Sequence, residues 1–119
     1  MDTPLAQKKC TPCEGKSNPL SAEAAGEYLT HVPGWALQPD AKAIAKDFTM
    51  KNFLAAVRFI EKIAVVAEEE NHHPDIHLTG YRKLRVELST HAIGGLSDND
   101  FILAAKIDQL PAELKERSA

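Results

Sequence analysis

The chain of 119 residues contains only two cysteines, no long apolar run and no block of charge of one sign. Two thiols, Cys10 and Cys13, cannot build the disulfide framework of a small secreted domain. The longest strongly apolar stretch, residues 60–67, is interrupted by Glu61 and Lys62 and is far shorter than the ~20 residues that cross a bilayer. We therefore expect neither a disulfide-stabilised domain nor a membrane-spanning protein.

Positive charge is also scarce, with 14 Lys and Arg residues against 17 Asp and Glu residues and a net charge of -3. Without a dense basic cluster, we expect no direct binding of nucleic acid and no docking to an anionic membrane. Residues 1–9 contain no apolar run of signal-peptide length, so we expect a cytoplasmic location. The hydrophobic content of 44% and the chain length are typical of one globular domain.

Residues 1–19 are rich in Lys, Pro, Thr, Ser and Gly, which predicts a flexible N-terminal arm. The arm carries a Cys-x-x-Cys spacing at Cys10 and Cys13, as half of a zinc site or a redox pair does. Because the chain has no second cysteine pair, we favour a non-catalytic segment and keep metal or redox use as the alternative. Residues 20–119 are expected to form a single domain.

Hydrophobic periodicity and capping signals predict three helices and four strands. The predicted elements are a helix after Ser21, strands at 35–38 and 43–48, a long helix from residue 49 to 71 or 72, strands at 75–79 and 83–88, and a helix after Ser97. This order, α-β-β-α-β-β-α, predicts an α+β domain in which the helices pack on one face of a four-stranded antiparallel sheet.

The long predicted helix carries two apolar stripes. The main stripe comprises Met50, Phe53, Leu54, Val57, Ile60 and Ala64, and the second comprises Phe59, Ile63 and Val66. Since one sheet contact needs only one stripe, the second predicts either deep burial or a subunit interface. The last helix is expected to bury one stripe, and Pro111 to end or kink it. That stripe comprises Leu103, Ile107, Leu110 and Leu114.

Four of the five histidines fall between residues 72 and 91, namely His72, His73, His77 and His91. One interpretation is structural, with imidazoles at a helix C-terminus and on polar strand faces. Metal binding with a carboxylate from residues 68–70 is weaker, because His72 and His73 diverge by a helical step and no His-Glu-x-x-His spacing exists. Acid-base chemistry without metal is the third interpretation, since imidazoles both donate and accept protons near neutral pH.

Other catalytic classes fit less well. The sequence has no Gly-x-Ser-x-Gly elbow for a nucleophilic serine, and its only cysteines lie in the predicted arm. Gly94 and Gly95 lack the lysine and the spacing of a phosphate-binding loop. A dehydration, which needs one proton donor and one proton acceptor in the same cleft, suits the histidine cluster better.

Several short motifs occur together in a fixed order. They are Glu68-Glu69-Glu70-Asn71-His72-His73-Pro74, Tyr81, Leu88-Ser89-Thr90-His91, Gly95-Leu96-Ser97 and Asp100, with Pro33-Gly34-Trp35 upstream. In order and spacing this set resembles the pterin-4a-carbinolamine dehydratases, also called 4a-hydroxytetrahydrobiopterin dehydratases. The resemblance spans about residues 20–110, and the cysteine-containing arm resembles an extension seen in some members.

The resemblance implies removal of water from the 4a-hydroxytetrahydropterin that aromatic amino acid hydroxylases release, giving quinonoid dihydropterin for reductive recycling. It implies no metal or organic cofactor, and a homodimer or homotetramer. The matching catalytic positions are His72, His73 and His91: the first two as acid and base, the third holding and polarising the pterin. The matching substrate-binding or orienting positions are Glu68, Ser89, Thr90, Asp100 and Trp35.

Each supporting residue also has a structural interpretation. Asp100 fits a helix cap, Glu68 a solvated helix end, and Trp35 a core anchor. Ser89 and Thr90 fit the end of a strand. His77 has no counterpart in the family and is interpreted as a polar-face residue. Asn71 stands where the family often has an acid, which deprives His72 of one source of carboxylate support.

Two further functions stay open at this point. Some members of the resembled family bind a homeodomain transcription activator through a helix-built oligomer surface, which makes a non-catalytic interaction protein the second hypothesis. The third is a metal-binding protein that uses Cys10, Cys13 and the histidines.

Overall fold

A computed structural model describes residues 5–8, 10 and 19–115 of the chain. Its helices and strands are α1 (Ala22–Leu29), β1 (Ala36–Leu37), β2 (Ile44–Thr49), α2 (Phe53–Glu70), β3 (Asp75–Thr79), β4 (Lys83–Leu88) and α3 (Asp98–Asp108). Short 3₁₀ turns occur at Leu5–Gln7 and His91–Ile93. The predicted order α-β-β-α-β-β-α is confirmed. Among the described helices, none combines the length and the apolar character that crossing a membrane demands.

The four strands form one antiparallel sheet in the order β1-β2-β4-β3. Leu84, Val86 and Leu88 of β4 are buried, whereas the alternate residues Arg85 and Glu87 are only half-buried. The alternation in sequence is therefore the alternation of a strand with one face on the core, as predicted. Because β4 is an inner strand, its end at Leu88 delivers the following residues to a fixed position.

The core lies between the sheet and the helices α2 and α3. The rings of Phe48 on β2 and Phe59 on α2 pack edge to face, with centroids 5.1 Å apart. From α3, Phe101 and Ile107 are fully buried in the same core. The prediction that helices cover one face of the antiparallel sheet is confirmed.

The inward face of α2 differs from the predicted one. Phe53 and Leu54 of the predicted main stripe are each 55% exposed. The buried apolar residues are instead Ala55, Ala56, Phe59, Ile63 and Ala67. Both stripes are apolar, so periodicity could not rank them. The second stripe is flanked by small alanines, and these let the helix approach its neighbours closely.

Two residues assigned to helices lie outside them. Met50 precedes α2, which begins only after the Asn52 side chain accepts a hydrogen bond from the Ala55 N–H at 2.8 Å. Leu114 lies beyond α3, which ends at Asp108, and it forms a β-bridge with Met50. Leu110 also follows the helix end, so the predicted stripe over 103–114 is too long. The end of α3 at Asp108 is consistent with Pro111, because proline cannot continue a helix.

The C-terminus of α2 matches the prediction. Asn71 adopts the left-handed conformation with φ 50°, and its N–H bonds the carbonyls of Ala67 and Glu68. This cap turns the chain out of the helix, and Pro74 prevents its continuation. His72 and His73 therefore project from an ordered turn and not from the regular helix.

Part of the predicted N-terminal arm has a defined place. Leu5 packs against the core, and the 3₁₀ turn Leu5–Gln7 lies against α3. Cys10 is half-buried near the end of α2. For residues 1–4, 9 and 11–18, including Cys13, the expectation of a flexible arm falls outside the described residues.

Candidate active site

A cavity of about 530 Å³ lies where the ends of α2 and β4 meet the start of α3. Its volume is within the usual range for small-molecule sites. The lining residues are Cys10, Glu69, Glu70, Asn71, His72, His73, Ser89, Thr90, His91, Ala92 and Asn99. The three histidines that the sequence singled out for catalysis thus share one cavity with Ser89 and Thr90.

His72 is held by a buried carboxylate. Its Nε2 lies 2.6 Å from Oδ1 of Asp100, and the two side chains are 11% and 0% exposed. An ionised carboxylate only accepts hydrogen bonds, so Nε2 carries the proton of this bond. The other ring nitrogen, Nδ1, is then the atom of His72 that can give or take a proton.

Asp100 is itself fixed by two more donors. Its Oδ2 accepts a hydrogen bond from the Thr90 hydroxyl at 2.8 Å and one from the Ser97 N–H at 3.0 Å. The hydroxyls of Thr90 and Ser97 are also 2.8 Å apart. Asp100 therefore caps the start of α3 and orients His72 at the same time. It supplies the carboxylate support that Asn71 does not.

His73 has a different environment. Its Nε2 lies 2.8 Å from Oε2 of Glu68, and the side chains are 55% and 77% exposed. A contact between two such exposed side chains contributes little to stability. Glu68 does not line the cavity, so it reaches the site only through the ring of His73. The two adjacent histidines thus each have a carboxylate partner, one buried and one exposed.

His91 begins the 3₁₀ turn that follows β4, and a close contact sets the position of this turn. The Thr90 N–H donates to the Gly95 carbonyl at 2.7 Å. A Cβ at Gly95 would lie 2.7 Å from Cβ of Pro19, which leaves room only for glycine. The chain from Thr90 to Gly95 is therefore a tight loop that presents His91 to the cavity.

Trp35 lies elsewhere. Its indole N–H donates to the Asp108 carboxylate at 3.1 Å, and the residue is 5% exposed. Asp108 ends α3, about 12 Å along the helix axis from Asp100. Trp35 is not among the lining residues. This geometry agrees with the core-anchor interpretation of Trp35 and not with a place in the cavity wall.

The predicted catalytic and substrate-binding residues leave out part of the cavity wall, namely Cys10, Glu69, Glu70, Asn71, Ala92 and Asn99. Glu69, Glu70 and Asn71 stand inside the recognised motif, and their position just before the histidine pair was the available signal. Asn99 is next to Asp100 and follows the same logic. Cys10 stood out only through its Cys-x-x-Cys spacing, and that spacing does not indicate its contact with Glu70 across 60 residues of sequence.

Within the described part of the chain, no cluster of three or more His, Cys, Asp or Glu side chains is placed to bind a metal ion. Cys13, one of the predicted metal or redox pair, lies outside that part. His77 is exposed on β3, with its Nε2 4.0 Å from Glu87. It is a polar-face residue, as interpreted from the sequence.

The comparisons with known proteins define the class. The profile of the family described as pterin 4 alpha carbinolamine dehydratase matches residues 18–110. A relative from Methylococcus capsulatus, named as a candidate pterin-4-alpha-carbinolamine dehydratase, is 48% identical over 109 residues, which cover 92% of this chain and 95% of that protein. The chain therefore belongs to the pterin-4-alpha-carbinolamine dehydratase family.

Two more relatives extend the comparison. The mitochondrial pterin-4-alpha-carbinolamine dehydratase 2 of Arabidopsis thaliana is 42% identical over 112 residues, covering 92% of this chain and 60% of the plant protein. The crystal structure of a transcriptional coactivator/pterin dehydratase from Brucella melitensis superposes with a TM-score of 0.71 at 31% identity. That match covers 76% of this chain and 96% of the other.

Proposed function

We propose that this protein is a lyase that converts 4a-hydroxytetrahydropterin to quinonoid dihydropterin by histidine acid-base catalysis. The observation that carries the proposal is the meeting of His72, His73 and His91 at one cavity, with His72 held at 2.6 Å by the buried Asp100. Family membership supports the pterin substrate, and the cavity volume suits a bicyclic ring.

The reaction needs two proton transfers. An acid protonates the hydroxyl on C4a, so that the C4a–O bond breaks and water leaves. A base removes the proton from the neighbouring N5, and the electron pair forms the C4a=N5 double bond. No electrons are exchanged with another molecule, so the reaction needs no redox cofactor, and we propose that imidazoles carry out both proton transfers without a metal or an organic cofactor. Two imidazoles of one cavity suffice for both transfers.

The two adjacent histidines suit these roles because their Nε2 atoms are engaged by carboxylates. Each carboxylate fixes a ring and leaves Nδ1 for exchange with the substrate. We propose that His72 and His73 share the acid and base roles and that His91, on the tight loop after β4, holds and polarises the pterin. Thr90 acts through Asp100, and Glu68 acts through His73. Ser89 lines the cavity beside them.

The biological role follows from the substrate. An aromatic amino acid hydroxylase releases the hydroxypterin, so we propose that this protein supports tetrahydropterin recycling next to such an enzyme. A cytoplasmic location stays a prediction.

The activity is tested by generating 4a-hydroxytetrahydropterin in situ with an aromatic amino acid hydroxylase and following the appearance of quinonoid dihydropterin. With the hydroxylase in excess, water loss limits the rate. Addition of this protein is expected to speed product formation at least about 100-fold, the lower end of the range for one general acid or base, and more if two such groups act together. An unchanged rate with folded protein would contradict the proposed function.

We also propose that the chain forms a homodimer or homotetramer through the exposed apolar face of α2. Phe53 and Leu54 are each 55% exposed and Val65 is 59% exposed, an unusual grouping of large apolar side chains on one helix. Such a face is typical of a subunit interface or of a surface for another protein.

Light scattering after size-exclusion chromatography measures this assembly. We expect a dimer or tetramer for the natural chain and a shift toward monomer for Leu54→Glu, because a buried charge at an interface is costly. Glu27→Lys reverses an exposed charge on α1, outside the apolar face of α2, and serves as the control. A strict monomer at high concentration would remove the assembly hypothesis.

A further inference from the structure

Glu70 is an unusual residue of the cavity wall. Its side chain is only 4% exposed, although glutamate is rarely buried without partners. It is also the last residue of α2, where the helix dipole disfavours negative charge. A carboxylate in this position must be stabilised by specific contacts.

Two described contacts join Glu70 to other parts of the chain. Oε1 accepts a hydrogen bond from the backbone N–H of Cys10 at 2.8 Å. Oε2 lies 3.8 Å from the ammonium group of Lys106 on α3. Glu70 thus ties the N-terminal segment to α2 and stands beside a cation on α3.

The Cys10 side chain makes a second attachment. Its Sγ donates to the Asn99 carbonyl at a distance of 3.6 Å. Burial, reinforced by the charge of Glu70, raises the pKa of the Cys10 thiol to about 12, so the thiol stays protonated and keeps this donor. Cys10 therefore lies against both helices, and Leu5 packs on the core a short distance upstream.

These attachments lie next to the histidine site. Glu70 stands two residues before His72, and Asn99 stands one residue before Asp100. Cys10, Glu70 and Asn99 all line the same cavity as the histidines. Cys10 consequently forms part of one side of the space that the pterin would fill.

We propose that Glu70 is a positioning residue that fixes Cys10 in the wall of the cavity, and that this part of the wall sets the affinity for substrate. The affinity claim rests on the proposed function. None of the described contacts of Cys10 and Glu70 involves His72 or Asp100, so we expect their contribution to be to binding in the ground state and the transition state alike. Loss of such uniform binding raises KM and leaves kcat unchanged.

Four variants of the full chain separate the effect of losing the contact between Cys10 and Glu70, called the anchor below, from a loss of general stability. Glu70→Leu removes the acceptor and is expected to raise KM about tenfold, whereas Glu70→Gln keeps an acceptor oxygen and is expected to raise it less than about threefold. Cys10→Pro removes the N–H donor and is expected to match Glu70→Leu. Cys10→Ala keeps the N–H and loses only the Sγ–Asn99 hydrogen bond, so it is expected to raise KM less than Cys10→Pro does.

The double variant Cys10→Pro, Glu70→Leu tests whether the two groups act as one contact. We expect its KM to equal that of either single variant, because the second change removes an interaction already lost. Multiplicative effects on KM, an unchanged KM in both single variants, or a loss confined to kcat would each overturn the proposal. Circular dichroism checks that every variant is folded.

A readout without turnover tests the anchor directly. In a Cys13→Ser background, Cys10 is the sole thiol, and the rate of its alkylation by iodoacetamide at pH 8 reports how far Cys10 is buried. Glu70→Leu is expected to speed alkylation at least about tenfold, and Glu70→Gln much less. Unchanged alkylation would overturn the anchor. Faster alkylation in Glu70→Leu, combined with no turnover by the natural chain, would support the anchor and overturn the proposed function together with the affinity claim.

Discussion

Asp100→Asn is expected to lower kcat for water loss by about 100-fold or more while KM changes little, as happens when a histidine is held in the wrong tautomer. The Asp100 carboxylate accepts three hydrogen bonds, from His72 Nε2, the Thr90 hydroxyl and the Ser97 N–H. In the amide, the remaining oxygen takes the place of Oδ2, and the NH₂ group faces His72. Nε2 must then accept, which moves the ring proton to Nδ1.

Asp100→Asn therefore changes the tautomer of His72 while it keeps the size of the side chain, so the variant separates the orienting role of Asp100 from its packing role. Asp108→Asn is the matched control, because it makes the same change at the other end of α3, where the carboxylate holds Trp35 and lies outside the cavity wall. We expect the control to keep its kcat. A folded Asp100→Asn variant with natural kcat would contradict the orienting role.

Stability gives a second readout for Asp100. Asp100→Ala removes the cap of α3 and leaves buried donors without an acceptor, so the free energy of unfolding is expected to fall by about 2–4 kcal/mol. Asp100→Asn keeps the size of the side chain and most of the hydrogen bonds, and a smaller loss of about 1 kcal/mol is expected. Urea unfolding measures both. Equal losses for the two variants would show that the amide does not preserve the network.

The double variant His72→Ala, His73→Ala is expected to lose essentially all acceleration, a fall of about 10³-fold or more if both the acid and the base are removed. His73 is exposed, so its removal leaves packing intact. His72 is partly buried, but Asp100 keeps the Thr90 and Ser97 donors, so the fold survives. kcat and a thermal melt are measured on the same preparation.

His77→Ala is the control for the histidine pair. His77 is exposed on β3 and lies outside the wall of the candidate active site. Its removal therefore tests whether the loss of a histidine away from the cavity also lowers kcat. We expect natural kcat for His77→Ala. Comparable losses in the control and in the double variant would point to a general effect of charge and away from acid-base roles.

The fold was predictable because its local signals agree. In β4, buried and less buried residues alternate with period two, and in α2 the Asn71 and Pro74 signals mark the helix end. Which face of α2 packs against the core was not predictable. Both stripes are apolar, and only the packing of α2 in the domain selects Phe59 and Ile63 over Phe53 and Leu54. The wrong assignments of Met50 and Leu114 have a related cause, since their β-bridge joins residues that lie far apart in sequence.

The candidate site divides in the same way. The three histidines and Asp100 stand in short motifs, and the structure brings all four together where the ends of α2 and β4 meet the start of α3. The contact between Cys10 and Glu70 spans 60 residues and involves a backbone N–H, which no side-chain pattern reports. Trp35 shows the opposite case, because the family resemblance placed this residue at the site, whereas it packs in the core beside Asp108.

The decay of freshly generated 4a-hydroxytetrahydropterin tests the central claim most directly, measured in one session without protein, with the natural chain and with His72→Ala, His73→Ala. We predict faster decay with the natural chain and the uncatalysed rate with the folded double variant. Acceleration that survives in the double variant would contradict the assignment of the chemistry to these histidines. Absence of acceleration by the natural chain would contradict the dehydratase function itself.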